Sequence, residues 1–389
     1  MKVAIISHSY LEPENQKNIL ALNALCDVRC ILPRHGPVLI FHDYEFKDRR
    51  DISGIFFAYR PFYLAKAQYM LGSLTMGLLK FKPDVINIEY NPWSIIFFQA
   101  LLYRRIYSPK SKIVCTLKKN TYRYGTGVFG KIKDWVARFS LRRVDHIIAA
   151  SNMVSDLCKS EFTIPARKVS VCHHLGVDVS LFSRSDEKSP VDENEEPPIV
   201  VGYCGRLDAD KGILDLVEAM LLVKQSTKRA VVLKLMGCGA YGDFLDDHLR
   251  NESYETDWLE LLPPVPNAEV AKFLGTLDIF VLPSRILEDH QEHDAHILLE
   301  AMACGVPCIG TKSGIIPEIL GSGEGFLVTP QNPQALFGVL SFLISNPGER
   351  SMLSERGRNK SVEEFSLSVI AKKKCNIFRG IVNENLLGI

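Results

Sequence analysis

Short runs that are apolar throughout alternate with longer stretches of helical period along the chain. In the first half these runs are residues 3–7, 28–32, 84–89, 112–117, 146–150 and 169–173. In the second half they are 199–204, 231–236, 259–262, 278–282, 307–310 and 325–328. Runs without in–out alternation fit strands buried on both faces of a parallel sheet, and strand–helix alternation on this scale predicts a doubly wound α/β fold. Between the two sets lies 183–198, rich in Asp and Glu and ending in Pro197-Pro198, a stretch that cannot build a core. The pattern predicts two doubly wound, Rossmann-like domains, 1–182 and 199–365, and an acidic linker at 183–198. Where two such sheets end on one crevice, ligands are expected in the interdomain cleft.

Length agrees: 389 residues exceed what one core usually organises. Charge changes the picture more. The net value is only +1, yet residues 1–185 carry 27 Lys and Arg against 14 Asp and Glu, leaving 19 against 31 in the rest. A basic half joined to an acidic half implies different partners for the two. Anionic membrane or a phosphate-bearing acceptor suits the first; no recognition helix or RNA-binding motif points to nucleic acid. The ten cysteines are scattered singly, several within strand-like runs, as in a reducing compartment. The N-terminal run turns polar too early for a secretory signal, and residues 94–103 fall short of the ~20 needed to span a bilayer. A cytoplasmic protein is expected. Basic and aromatic residues mixed through 101–105 and 118–143 suit peripheral contact with the inner face of a membrane.

Two constellations carry chemistry. Gly205-Arg206-Leu207-Asp208-Ala209-Asp210-Lys211-Gly212 joins a strand end to a helix start, where Arg206 and Lys211 can clamp a diphosphate. Glu292-His293-Asp294-Ala295-His296 leads into a helix expected to end at Gly305 before Pro307. Amides at the start of that helix, around Asp294, Ala295 and His296, favour phosphate. Glu300 leans back toward the same end and suits vicinal ribose hydroxyls; Glu292 suits hydroxyls of a transferred sugar. The same stretch has His290, His293 and His296 at intervals of three among acidic residues, a pattern that also suits a divalent ion. Gly237-x-Gly239-x-x-Gly242 follows a strand like a dinucleotide fingerprint, but its mid-domain position favours a tight turn.

In the first half, Glu89, Asn91 and Trp93 follow a strand end and offer hydrogen bonds and a stacking face to an acceptor; a structural turn around a buried Trp reads equally well.

Arg206 and Lys211, the Glu292-x7-Glu300 spacing and Glu300-Ala301-Met302-Ala303-Cys304-Gly305-Val306-Pro307 together resemble glycosyltransferase family 4. Asp278–Ser284 and Gly314-Ile315-Ile316-Pro317-Glu318 extend the resemblance, as does Gly176-Val177-Asp178. It implies a GT-B fold with a helical segment, 366–389, packing back toward the first domain. It also implies retaining hexosyl transfer from a nucleoside diphosphate sugar to a hydroxyl acceptor, in polysaccharide or glycolipid assembly. No metal or other cofactor is implied. Arg206 and Lys211 become diphosphate and catalytic groups, Glu292 a donor-sugar ligand and Glu300 the ribose ligand. The sequence departs from the family in three places. His293-Asp294-Ala295 replaces the usual Gly-Phe-Gly, which leaves donor identity open. The loop His8–Pro13 lacks a pair of glycines. Asn120 stands where many relatives place a histidine near the reacting centre, able to orient hydroxyls but not to act as a base. An epimerase or phosphorylase on the same fold, or a donor-binding subunit without activity, are the alternatives.

Overall fold

A computed structural model describes residues 1–33, 35–37, 43–45, 55–59, 62–64, 67–69, 78–119, 127–183, 196–249, 257–288 and 291–383. Two compact units emerge, residues 1–176 with 367–389, and residues 177–366.

The first unit holds a seven-stranded sheet. Its strand order is Val169–Val171, His146–Ala149, Lys112–Leu117, Val85–Ile88, Lys2–Ile6, Asp27–Pro33 and Phe56–Tyr59. All its pairings are parallel. Val85–Ile88 is buried at every position, which is why these strands read as unbroken apolar runs. Phe56–Tyr59 is an edge strand that the sequence reading missed. The second unit holds six parallel strands in the order Leu259–Leu262, Val231–Met236, Ile199–Cys204, Ile279–Leu282, Cys308–Thr311 and Gly325–Val328. Each sheet starts in its middle and grows both ways. In the first, the direction reverses between Lys2–Ile6 and Val85–Ile88; in the second, between Ile199–Cys204 and Ile279–Leu282. Doubly wound sheets bind ligands beyond the strand ends at such a reversal, and the loops there hold the candidate chemistry.

The unit boundary falls at Gly176/Val177 rather than at 182/183. Val177 donates to Phe365 O at 2.8 Å and bridges Ser366, and Val177 and Phe182 both lie in the second core. Residues 184–195 of the expected linker lie outside the described residues. Helix Leu367–Asn383 returns to the first unit, where Ile370, Ala371, Cys375, Phe378 and Ile381 join the core that covers helix Pro13–Asn23. Lys374, buried, donates to His174 O at 2.8 Å. Among the described residues no helix is long and apolar enough to cross a membrane.

Candidate functional site

The site in the second unit grows from strand Ile199–Cys204. Past its end, Tyr203 Oη donates to Arg206 O at 2.7 Å and pins the turn. The Arg206 guanidinium forks onto Asp208 and Asp210, the latter at 2.7 Å. Burial alone would lower its pKa, Asp210 and Asp208 outweigh burial, and the net shift is upward, so Arg206 is always a cation. Its plane is therefore fixed by two carboxylates of its own turn before any ligand arrives, the preorganisation that makes a fixed charge effective. Gly212 follows at φ 68°, and a Cβ there would stand 2.1 Å from Pro283 O. The turn thus presses against the loop after strand Ile279–Leu282.

That second loop supplies the counter-charge. Lys211 Nζ lies 2.6 Å from Glu292 Oε2 and 3.9 Å from Asp210. Ser284 Oγ donates to the same Glu292 oxygen at 2.6 Å, Glu292 N donates to Ser313 Oγ at 3.2 Å, and Ile315 N donates to Glu292 O at 2.9 Å. Glu292 is 1% exposed. The residue expected to hold sugar hydroxyls is thus locked inside, where it orients Lys211. Arg285 pairs with Asp215 through Nε at 2.8 Å and Nη2, and its backbone N donates to Asp210 O at 2.9 Å, tying the two loops together. Sequence reading missed Arg285, Asp215 and Ser313, because their partners stand far along the chain.

The third wall is helix His296–Ala303, which begins one residue after Ala295. Ala295 makes no side-chain cap at the first amides, of which Leu298 N donates to Ala295 O at 3.0 Å. Asp294 is exposed beside them. Glu300 sits one turn inside, its Oε1 3.5 Å from His296 Nε2. Ser361 Oγ donates to Leu299 O at 2.9 Å and Arg358 to Ala303 O, so helix Pro347–Phe365 fixes this wall from behind. The structure therefore gathers Arg206, Lys211, Glu292, Asp294, Ala295, His296 and Glu300 around one strand reversal. His290 and Asp289 lie outside the described residues, as does Asn120.

The first unit has a polar cluster of its own at its strand reversal. Glu89 was expected to meet an acceptor, but its side chain is 0% exposed. Tyr10 Oη and Asn87 Nδ2 donate to Glu89 Oε1 at 3.2 and 3.1 Å, Thr116 Oγ1 donates to Asn87 Oδ1 at 2.8 Å, and His174 Nε2 lies 3.7 Å from Oε2. Burial raises the Tyr10 phenol well above its usual range, with Glu89 adding to it. Glu89 is the hub of a buried network rather than an acceptor contact. Trp93 packs on the first core, and Lys133 Nζ covers its ring at 4.5 Å, so that face does not await a sugar. Asn91 remains partly exposed.

His8, against Tyr90 at 5.1 Å between centroids, is held neutral: burial first and Lys118 second push its pKa down to about 4, Glu89 opposing. An unfolded histidine binds protons from about pH 6.5, so acid favours the unfolded chain. Stability from this group is complete above pH 6.5 and lost as pH falls toward 4, with about 2 kcal/mol gone between pH 7 and pH 5. Urea unfolding at both values should show that difference shrinking in His8→Gln; an unchanged difference would remove His8 as its source.

Two family models divide the chain: glycosyl transferases group 1 matches residues 184–360 and glycosyltransferase family 4 matches residues 19–181. The putative colanic acid biosynthesis glycosyltransferase WcaL of Salmonella typhimurium is 28% identical over 244 residues, 62% of this chain and 58% of that protein. The N-acetyl-alpha-D-glucosaminyl L-malate synthase of Bacillus anthracis is 25% identical over 343 residues, 85% of this chain and 83% of that protein. With WcaL of Escherichia coli and CapM of Staphylococcus aureus, the match spans about half of the relative, 52% and 47%. Among solved structures, HepE of Anabaena in complex with UDP superposes with a TM-score of 0.74 over 98% of this chain and 100% of that one. At 17% identity that likeness speaks for the fold.

Proposed function

The chain belongs to glycosyltransferase family 4 and has its two-domain GT-B fold, and from that premise we propose that it moves a hexosyl group from a nucleoside diphosphate sugar to a hydroxyl acceptor, with retention of configuration. The observation that carries this reading is the pair of cations, Arg206 and Lys211, each oriented by carboxylates at the reversal of the second sheet. Breaking a glycosyl–phosphate bond leaves negative charge on the diphosphate, and cations already in place stabilise it without reorganisation. The amides at the start of helix His296–Ala303 receive phosphate oxygens, and the Glu300 carboxylate accepts from the two ribose hydroxyls. The departing phosphate oxygen takes the acceptor's proton on the face it leaves, so retention needs no protein base. Similarity to proteins named for colanic acid and capsular polysaccharide biosynthesis supports polysaccharide or glycolipid assembly as the setting. Neither a metal nor a redox cofactor enters this chemistry.

Thermal-shift measurements with UDP, GDP, ADP, dTDP and UDP-glucose test the donor site. A nucleotide present at 100 times its Kd should stabilise the protein by about 2.7 kcal/mol. Glu300→Ala should lose most of that response to the responding nucleotide while melting as the wild type does without it. If no nucleotide moves the wild-type melt, the donor assignment fails. Turnover of the responding sugar conjugate without any acceptor would point to an epimerase instead.

A further inference from the structure

Helix Gly127–Leu141 of the first unit buries Gly130, Ala137, Ser140 and Leu141. Its opposite side presents Val128 at 72% exposure, Phe129 at 81%, Ile132 at 50% and Trp135 at 65%. Single exposed apolar residues are ordinary, but four large ones within about two turns are a patch that calls for a covering. The patch continues onto helix Ile95–Tyr107. Phe98 stacks on Phe139 at 6.0 Å and Trp135 lies 5.7 Å from Phe139, while Leu102, Ile106 and Tyr107 are more than half exposed. Around it the charge is of one sign. Lys131, Arg142, Arg143, Arg105 and Lys110 are exposed, helix Ile95–Tyr107 has no acidic residue, and Asp134 is paired with Arg138 at 2.8 Å.

We propose that this face docks on an anionic lipid bilayer, with helix Gly127–Leu141 lying in the headgroup layer. Apolar side chains enter the acyl boundary while the lysines and arginines meet lipid phosphates, two signals that together give reversible attachment. A second copy of the chain fits less well, because a two-fold contact through the same patch sets basic rim against basic rim. The proposal stands apart from the transferase reading: vesicle binding and nucleotide binding are read by separate experiments on separate units.

Full-length protein is sedimented with vesicles of phosphatidylcholine alone and of phosphatidylcholine with phosphatidylglycerol. The wild type should pellet with the anionic vesicles, and added salt should release part of it. The double variant Phe129→Ser, Trp135→Ser should partition at least about tenfold more weakly, and Lys131→Glu a few-fold more weakly. These positions are exposed, so melting temperatures should hold. The proposal falls if the wild type stays in the supernatant with anionic vesicles, or if the double variant pellets as well as the wild type. It falls also if sedimentation without lipid shows a dimer that the double variant dissociates, since the face would then belong to a second copy.

Discussion

Lys211→Met lowers the turnover of glycosyl transfer by about 10²–10³ at saturating donor and acceptor, the cost of removing one preorganised charge from a developing oxyanion. Lys211 is held 2.6 Å from Glu292, and Glu292 in turn accepts from Ser284 and is almost wholly buried. The ammonium is therefore placed by a rigid partner, and under the proposed function its charge would meet the leaving diphosphate without first being ordered. Methionine keeps the stem's volume and removes the charge, although it leaves Glu292 without its ion-pair partner. A melting curve of the variant separates that stability loss from the loss of rate. Lys211→Arg should not restore the rate, because a planar fork cannot sit where a compact ammonium meets one carboxylate oxygen. Release of the nucleoside diphosphate in the presence of acceptor is the measurement. Turnover within threefold of the wild type would remove Lys211 from the catalytic machinery.

Gly237→Ala destabilises the protein by about 3 kcal/mol or more, enough to deplete soluble material. Gly237 lies at φ 145°, and a Cβ there would stand 1.8 Å from Gly205 O. That oxygen belongs to backbone hydrogen-bonded into the neighbouring strand end: Gly205 N donates to Met236 O at 2.9 Å, and Gly237 N to Leu262 O at 2.9 Å. Neither strand can retreat without breaking its ladder, so the clash has no inexpensive outlet. Gly338→Ala is the control. It sits inside helix Pro333–Ser345 with nothing within 4 Å of its would-be Cβ, and should stabilise by about 0.5–1 kcal/mol. Urea denaturation compares the two; equal stabilities would mean the close approach at Gly205 relaxes freely.

The unbroken apolar runs made the sheets legible, and strands such as Lys112–Leu117, Ile199–Cys204 and Val231–Met236 begin and end where the pattern put them. Phe56–Tyr59 escaped because an edge strand needs no long β-branched run. Arg206, Lys211 and Glu300 stood out as candidates because each sits within one turn of a strand end or helix start. Their wiring was less legible. Asp208 and Asp210 stand two and four residues from Arg206, yet proximity in sequence did not say that both would grip it. Asp215 and Arg285 meet across 70 residues. Glu292 and Glu89 show the deeper difficulty: a carboxylate after a strand reads alike whether it faces a ligand or the interior, since only packing by distant segments decides. Gly237, Gly239 and Gly242 had the spacing of a dinucleotide fingerprint, but each would-be Cβ meets the Gly205–Asp208 loop instead. Their smallness serves loop against loop, not loop against cofactor.

The return of helix Leu367–Asn383 to the first unit has a consequence for synthesis. The second unit is one continuous stretch, 177–366, and every residue it needs has been made once Ser366 emerges. The first unit is split, and helix Pro13–Asn23 waits for its apolar cover until the final helix appears. On the ribosome the order of completion is inverted: the half translated first is the half finished last. Until then the face destined for Ile370, Cys375 and Phe378 is open to holdase chaperones, and a stalled or truncated nascent chain exposes it to proteolysis.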